Sequence, residues 1–401
     1  MDPKLVFPFS HNNNYSLVKK FDSTTKFGYS YLNKELIDLS LGSCGCFPLG
    51  FDRTDFIDYV NGQLYKMPFL SGDYLTTNEY VLELADIMFD ISNGYHSIFG
   101  INGSNAVEAA IKVAQVYQNL TGNKSKKLML GFENSYHGST YLSGSISGST
   151  YFHNTFGRES NCKTLSYENV EEQINNLGPN NICCLIVETC SWQNGLHPKQ
   201  LDWWLSLQDI CNKNNIVLIV DDIAFCGYKT GKYFGFPSEI KPDVICTGKA
   251  MTGGYFSLSN CLINQKMFDV VKNPRFLHGF SYTFSMPGIL SALYYTNVVK
   301  TEKVCEEYDS VKVVSESMFN RLKEINTVKQ VRNYGLTWCI DIDTNKTEDE
   351  FADLFVQNGM YLGLWNHPSH KKQILIHTPS ILSDYYFSNI EHRLSNLLKN
   401  V

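Results

Sequence analysis

Charge is scarce in these 401 residues: only 18% are Asp, Glu, Lys or Arg, and the 34 basic side chains do not outnumber the 40 acidic ones, leaving a formal net charge of -6. That excludes the broad basic footprint of a protein that wraps DNA or RNA, so general nucleic-acid binding is not expected. No run reaches ~18 uninterrupted apolar residues, so no membrane-spanning helix is expected. The opening Met1-Asp2-Pro3-Lys4-Leu5-Val6-Phe7-Pro8-Phe9 is broken by prolines and followed by His11-Asn12-Asn13-Asn14. It lacks the continuous apolar stretch of an export signal. There is no internal repeat and no long low-complexity linker, only asparagine-rich patches at 12–14 and 175–181. Cys44-Gly45-Cys46 has no second Cys/His pair at a suitable spacing, so no metal site is expected.

What is plentiful is core. Apolar residues make up 43% of the chain and aromatic residues 13%, enough to bury a large interior and to exclude a disordered scaffold. At roughly 150 residues per domain the length suggests two or three domains. Twelve cysteines are dispersed, and Cys183, Cys184, Cys246 and Cys261 lie inside apolar runs, where free thiols act as small hydrophobes. A reducing, cytoplasmic setting is the natural expectation.

Three short runs, at 182–187, 216–220 and 244–246, are almost wholly apolar, the pattern of parallel strands buried on both faces. Between the first two, Leu201, Trp204, Leu205, Leu207, Gln208 and Cys211 mark a helix face, which implies a right-handed strand–helix–strand crossover. From about Thr301 the texture changes to a polar helix at 302–326, strand-like runs at 338–342 and 374–376 with a helix between them, and a last helix from Ser383. That reads as a smaller α+β domain.

Four segments carry candidate chemistry. Ser104 reads as the N-cap of a helix running towards Gly122, and Gly103-Ser104 at its start would offer free N–H groups to a phosphate, although most such termini bind nothing. Tyr136 and His137 follow the apolar run at 128–130 and would stack on a flat ring, or simply make a strand-end turn. Asp221-Asp222 closes the strand at 216–220, placing a carboxylate at the carboxyl edge where open α/β sheets bind ligands. Lys249 closes the next strand, flanked by Gly248 and Gly253-Gly254 that permit close approach. Strand-end lysines are usually solvated. Here an acid, an amine, a phosphate-ready helix and an aromatic converge on one sheet edge.

Taken together, Gly103-Ser104-Asn105-Ala106-Val107-Glu108-Ala109-Ala110, Tyr136-His137-Gly138, Asp221-Asp222-Ile223 with Thr230-Gly231-Lys232, and Pro242-Asp243 through Gly248-Lys249 to Gly253-Gly254 resemble the class III aminotransferases. These are pyridoxal 5'-phosphate (PLP) enzymes of fold type I. The resemblance runs from about Leu39 to Met286, and less clearly to Leu398. Thr247-Gly248-Lys249-Ala250-Met251-Thr252-Gly253-Gly254 and Ser71-Gly72-Asp73 look most like the diaminopelargonate branch.

The resemblance implies an α/β fold, with a large domain around a mostly parallel seven-stranded sheet and a smaller α+β domain. The expected divisions are 1–60 joining the small domain, 61–300 binding the cofactor, and 301–401 completing the small domain. It implies an aminotransferase working through Schiff-base and pyridoxamine stages on small amine and carbonyl substrates, with active sites at the interface of a homodimer. Lys249 and Asp221 would be catalytic, Lys249 as the Schiff-base lysine and proton carrier and Asp221 as partner of the pyridine nitrogen. Tyr136 and Ile223 would sandwich the ring and Gly103-Ser104 hold the phosphate. His137 and Glu188 would also line the cofactor, and Ser281 or Thr283 would reach the partner subunit's phosphate.

Departures from the family pattern matter as much. Where it often has an arginine three residues before a proline, gripping a substrate carboxylate, Leu375-Ile376-His377-Thr378-Pro379 has Ile376; the glutamate that partners this arginine aligns near Gln193. Lys371, Lys372 or His377 would be the replacements. Asn105, Ala224, Phe225 and the segment Thr283-Phe284-Ser285-Met286-Pro287 also leave the pattern. A standard 2-oxoglutarate/glutamate pair is therefore not expected; an ω-amine, an amino-ketone or a bulky donor is. The same lysine, aspartate and stacking ring would serve a PLP decarboxylase or an aminomutase, and the missing pair leaves room for a non-catalytic binding protein. A nucleotide-binding domain is a poorer reading, because no GxGxxG or GxxxxGK[ST] is present.

Overall fold

The apolar runs become the interior strands of one sheet because they can bury both faces. The structure, a computed structural model, describes Val6 and residues 19–72, 75–362 and 373–401. Near the N-terminus, β1 (Ser23–Thr25), β2 (Gly28–Tyr31) and β3 (Lys34–Asp38) form an antiparallel meander. The central strands follow as β4 (His96–Gly100), β5 (Leu128–Phe132), β6 (Cys162–Leu165), β7 (Ile182–Glu188), β8 (Val217–Asp221), β9 (Val244–Thr247) and β10 (Ser259–Ile263). They pair in the order β4-β10-β9-β8-β7-β5-β6, with β10 antiparallel to both of its neighbours and the other pairings parallel. This is the mostly parallel seven-stranded sheet expected.

Alternate residues of the central strands feed two cores. Leu185, Val187, Leu218, Val220 and Ile245 pack on one face with Leu84, Met88, Trp204, Leu207 and Ile289 from three helices. Cys184, Ile186, Val217, Ile219, Cys246 and Cys261 pack on the other with Ala106, Ala110, Val113 and Ala114 of the helix Gly103–Leu120. The strand cysteines sit here as small buried thiols. Among the described residues no helix is long and apolar enough to cross a membrane.

The last strands, β11 (Val328–Tyr334), β12 (Thr337–Ile342), β13 (Met360–Tyr361) and β14 (Gln373–His377), form two further sheets: β11-β12-β14 is antiparallel, and β13 joins β3 in parallel. A third core unites the chain's ends. Phe27, Ile37, Leu39 and Leu41 pack with Phe319, Trp338, Ile340, Ile376, Tyr386, Ile390 and Leu394, and the Phe27 and Tyr386 rings meet edge-on at 5.2 Å. The 302–326 helix is shorter than its periodicity suggests. It spans Val304–Leu322 after a separate helix, Met286–Thr301, because Lys303 adopts a left-handed φ of 54° and breaks the run.

Phe27 is fully buried between the two ends of the chain. Phe27→Ala should therefore lower the unfolding free energy by about 3–5 kcal/mol, read by denaturant titration. A loss under about 1 kcal/mol would mean that the N-terminal strands add nothing to the C-terminal core.

Candidate active site

Five chain segments leave the carboxyl edge of the sheet and converge. The helix after β4 begins at Gly103, and its N-cap is Asn102 rather than Ser104: Asn102 Oδ1 accepts the Asn105 amide at 3.1 Å. The first amides of that helix have no intrahelical acceptor and present the positive end of its dipole. The displaced Ser104 is freed for other work, its Oγ accepting the Ser139 amide at 3.1 Å. The cradle is tight. A Cβ on Gly138, whose φ is +131°, would lie 2.5 Å from Ser104 Oγ, and one on Gly103 would lie 3.0 Å from Ile223 Cδ1. Helix start, loop and Ile223 thus approach as closely as glycine permits.

Asp221 is the centre of the polar network. It ends β8 beside Glu188, its register partner on β7. His137 Nδ1–H donates to Asp221 Oδ2 at 2.8 Å, and the Ile223 amide donates to Oδ1 at 3.2 Å. Glu188 Oε1 accepts the Tyr136 amide at 2.8 Å, fixing the loop that carries Tyr136 and His137. Burial, opposed by His137, lifts the Glu188 carboxyl to about 7. Asp222 faces the other way. It is fully buried, accepts Thr189 Oγ1 at 2.5 Å and the Gly235 amide at 3.0 Å, and is also raised to about 7 by burial.

Lys249 stands one residue past Gly248, in a left-handed conformation with φ 46°. Non-glycine residues held there cost on the order of 1–3 kcal/mol and concentrate at functional sites. Its Nζ lies 4.2 Å from the Trp192 ring centroid. Burial disfavours its ammonium, but Cys44, Cys46, Tyr136 and Asp221 outweigh burial and leave its pKa above the usual lysine value. A flat ring bearing an anionic arm and a basic nitrogen fits this donor set: helix amides for the arm, Tyr136 and Ile223 for the faces, and Asp221 for the nitrogen.

Gly103, Ser104, Tyr136, His137, Glu188, Asp221, Ile223 and Lys249 are therefore brought to one edge. Ser281 and Thr283 are not. They lie in the loop before Met286–Thr301, where Thr283 Oγ1 accepts the Phe280 amide at 2.8 Å and Ser281 is exposed. Ile376 points into the core shared by the chain's ends, while its strand neighbours Leu375 and His377 face the site. Lys371 and Lys372 lie outside the described residues. His377 is buried and held neutral, its pKa pushed well down by burial and then by Lys229 and Lys249. It therefore supplies no cation in place of an arginine.

Two residues escaped the sequence reading. Trp192 follows the end of β7, and a large aromatic just past a core strand was a signal available to find it. Lys229 is fully buried, donating to Ala224 O at 2.8 Å and Cys44 O at 3.3 Å, with burial lowering its pKa to about 8. Nothing in Gly227-Tyr228-Lys229-Thr230-Gly231 distinguishes it from a surface turn.

The raised Glu188 carboxyl carries a signed consequence for stability. Its folded pKa of about 7 exceeds the unfolded value of about 4.3, so the folded state holds the extra proton and stability falls as pH rises from ~4.3 to ~7. Glu188→Gln should remove up to about 3 kcal/mol of that decline, seen by comparing denaturant unfolding at pH 5 and pH 8. An unaltered pH dependence would show that Glu188 is ionised throughout.

The profile of the family described as aminotransferase class III matches residues 27–398. Vanillin aminotransferase of Capsicum annuum is 25% identical over 367 residues, covering 84% of this chain and 80% of its own. The acetylornithine/succinyldiaminopimelate aminotransferase of Buchnera aphidicola is 28% identical over 317 residues, covering 78% and 76%. Among solved structures, a PLP-bound amine transaminase from an uncultivated Pseudomonas species superposes with a TM-score of 0.88 at 22% identity, over 100% of this chain and 99% of that one. With the match spanning nearly the whole chain, the protein belongs to the class III aminotransferases, which are PLP-dependent enzymes.

Proposed function

We propose that this aminotransferase takes its amino group from a donor that needs no carboxylate grip and passes it to a carbonyl acceptor, with Lys249 and Asp221 as the catalytic pair. The observation that carries this reading is the exchange of a charge pair for a neutral one. Gln193 takes the sequence position of the glutamate and Ile376 that of the arginine, and the Ile376 side chain is turned away from the site into the other core.

Bound PLP supplies an aldehyde carbon that amines condense with and a ring that accepts electrons from the substrate carbon. The protein does the rest. Asp221, fixed by His137 Nδ1–H and the Ile223 amide, is oriented to hold a proton on a ring nitrogen and so keep the ring electron-poor. Lys249 Nζ must shed its proton before it can act as a nucleophile or base, and the Trp192 ring 4.2 Å away covers one side of that nitrogen. The amides at Gly103 and Ser104 anchor the anionic arm, Tyr136 and Ile223 restrain the ring, and Glu188 acts through the loop carrying Tyr136 and His137.

The dimer is part of the same proposal. Phe69, Leu277, Phe280 and Tyr282 are exposed around the segment carrying Ser281 and Thr283, with the Phe69 and Tyr282 rings in contact, an apolar surface suited to a second copy, across which those hydroxyls would meet the partner's cofactor. A reducing cytoplasmic setting is supported by twelve unpaired cysteines. The Thr247–Thr252 stretch that resembles the diaminopelargonate branch builds the lysine turn, which any substrate would share.

The purified protein should show an absorbance band near ~410–430 nm that borohydride fixes onto Lys249. Lys249→Ala should lose both that band and turnover, while Asp221→Asn should keep the band and lower kcat by at least ~100-fold. Simple amines should discharge the band more readily than glutamate. A colourless protein, or one discharged only by glutamate, would overturn the reading.

A further inference from the structure

The wall above Lys249 is aromatic where a charged receptor would stand. Trp192 is buried, its ring 4.2 Å from Lys249 Nζ, 4.8 Å from the His377 ring and 6.0 Å from Phe225, which meets it edge-on at 80°. Cys44, Cys190, Leu196, Cys339 and Leu375 complete a small apolar cluster drawn from five separate parts of the chain. It belongs neither to the sheet's cores nor to the core shared by the chain's ends.

The cations around this wall are already engaged. Arg332 reaches the adjoining loop, but its Nε donates to Gly195 O at 2.8 Å and its Nη2 to Asp341 Oδ1 at 2.8 Å. Lys229 is held by the carbonyls of Ala224 and Cys44, and the His377 imidazole is neutral. Among the described residues, the aromatic group set against Lys249 Nζ is the Trp192 indole, with the fully buried Phe225 ring behind it, and neither Arg332 nor His377 offers an uncommitted cation there.

We propose that Trp192 is a specificity-determining residue, which stacks on the substituent carried by the reacting carbon of the substrate and so selects a flat apolar group over a carboxylate. This rests on the aminotransferase reading, because the reacting carbon is defined by its position at Lys249. Stacking suits the geometry. The indole is held by His377 and Phe225, so a flat group gains contact area against a surface already ordered, whereas a carboxylate would be desolvated there without a partner.

The test uses the holoenzyme, Trp192→Phe and Trp192→Ala, with retained folding checked by circular dichroism and retained cofactor by absorbance. Benzylamine and n-propylamine are the donors, each followed in single turnover by discharge of the ~410–430 nm band, so that no carboxylate-bearing acceptor enters the site. Trp192→Ala should lower the benzylamine-to-propylamine ratio of kcat/KM by about ten-fold or more, chiefly through a higher half-saturating concentration of benzylamine, and Trp192→Phe should stay within about three-fold of the parent. In parallel, benzyl alcohol, which has no amine to transfer, is titrated by saturation-transfer NMR; its Kd should rise about ten-fold in Trp192→Ala and be largely restored in Trp192→Phe. An equal loss for both amines, or an unchanged benzyl alcohol Kd, would overturn the proposal. Trp192-dependent benzyl alcohol binding in a protein that turns over neither amine would instead retain the aromatic wall and reject the donor assignment.

Discussion

The site depends on one buried contact, the 2.8 Å hydrogen bond from His137 to Asp221. A carboxylate that is 5% exposed at the end of an apolar strand is costly unless its oxygens are satisfied. His137 and the Ile223 amide satisfy one oxygen each, and what remains of Asp221's accepting capacity faces the cleft. The rest of the large sheet can be viewed as the means of keeping that arrangement dry and fixed. β7 and β9 flank β8 in register, helices cover both faces, and the loop holding His137 is tied to β7 through Glu188.

How much of this was legible in the sequence follows from how local each signal is. The core strands announced themselves because strands buried on both faces are apolar at every position, and their boundaries moved by only a residue or so in the structure. Asp221 and Lys249 were readable because they end such runs. The helix start at Gly103 was read correctly but its N-cap was misplaced by two residues, since Asn102 and Ser104 are both good caps; Asn102 caps the helix and Ser104 Oγ accepts the Ser139 amide instead. Trp192 carried one local signal, its place just past a core strand, and Lys229 carried none. Each takes its meaning from groups far away in the chain: Lys249 and His377 for the tryptophan, Cys44 for the lysine.

The turn at Leu41–Gly45 shows the same dependence on distant partners. Leu41, Gly42, Ser43, Cys44 and Gly45 all have positive φ, three of them non-glycine. Asp38 holds the turn from below, accepting from the Ser40 amide and hydroxyl and, at 2.8 Å, from the Gly42 amide. Lys229 holds it from above through Cys44 O. A Cβ on Gly45 would lie 2.9 Å from His377 Nδ1 and 3.1 Å from Lys229 Nζ, so the chain is pressed against both. Backbone of this kind persists only where the surroundings over-determine it, and here the surroundings are the wall of the site.

The joining of the chain's two ends has a further meaning while the protein is being made. Phe27, Ile37 and Leu39 find most of their core partners in residues 311–398, and β3 pairs with β13 across more than three hundred residues. At ~5–20 residues per second, the first strands leave the ribosome tens of seconds before the last helix exists to cover them. During that interval the central sheet can assemble alone, since its seven strands are complete by Ile263. The strands Gly28–Tyr31 and Lys34–Asp38 meanwhile remain an uncovered edge, the part of the nascent chain with most need of a chaperone.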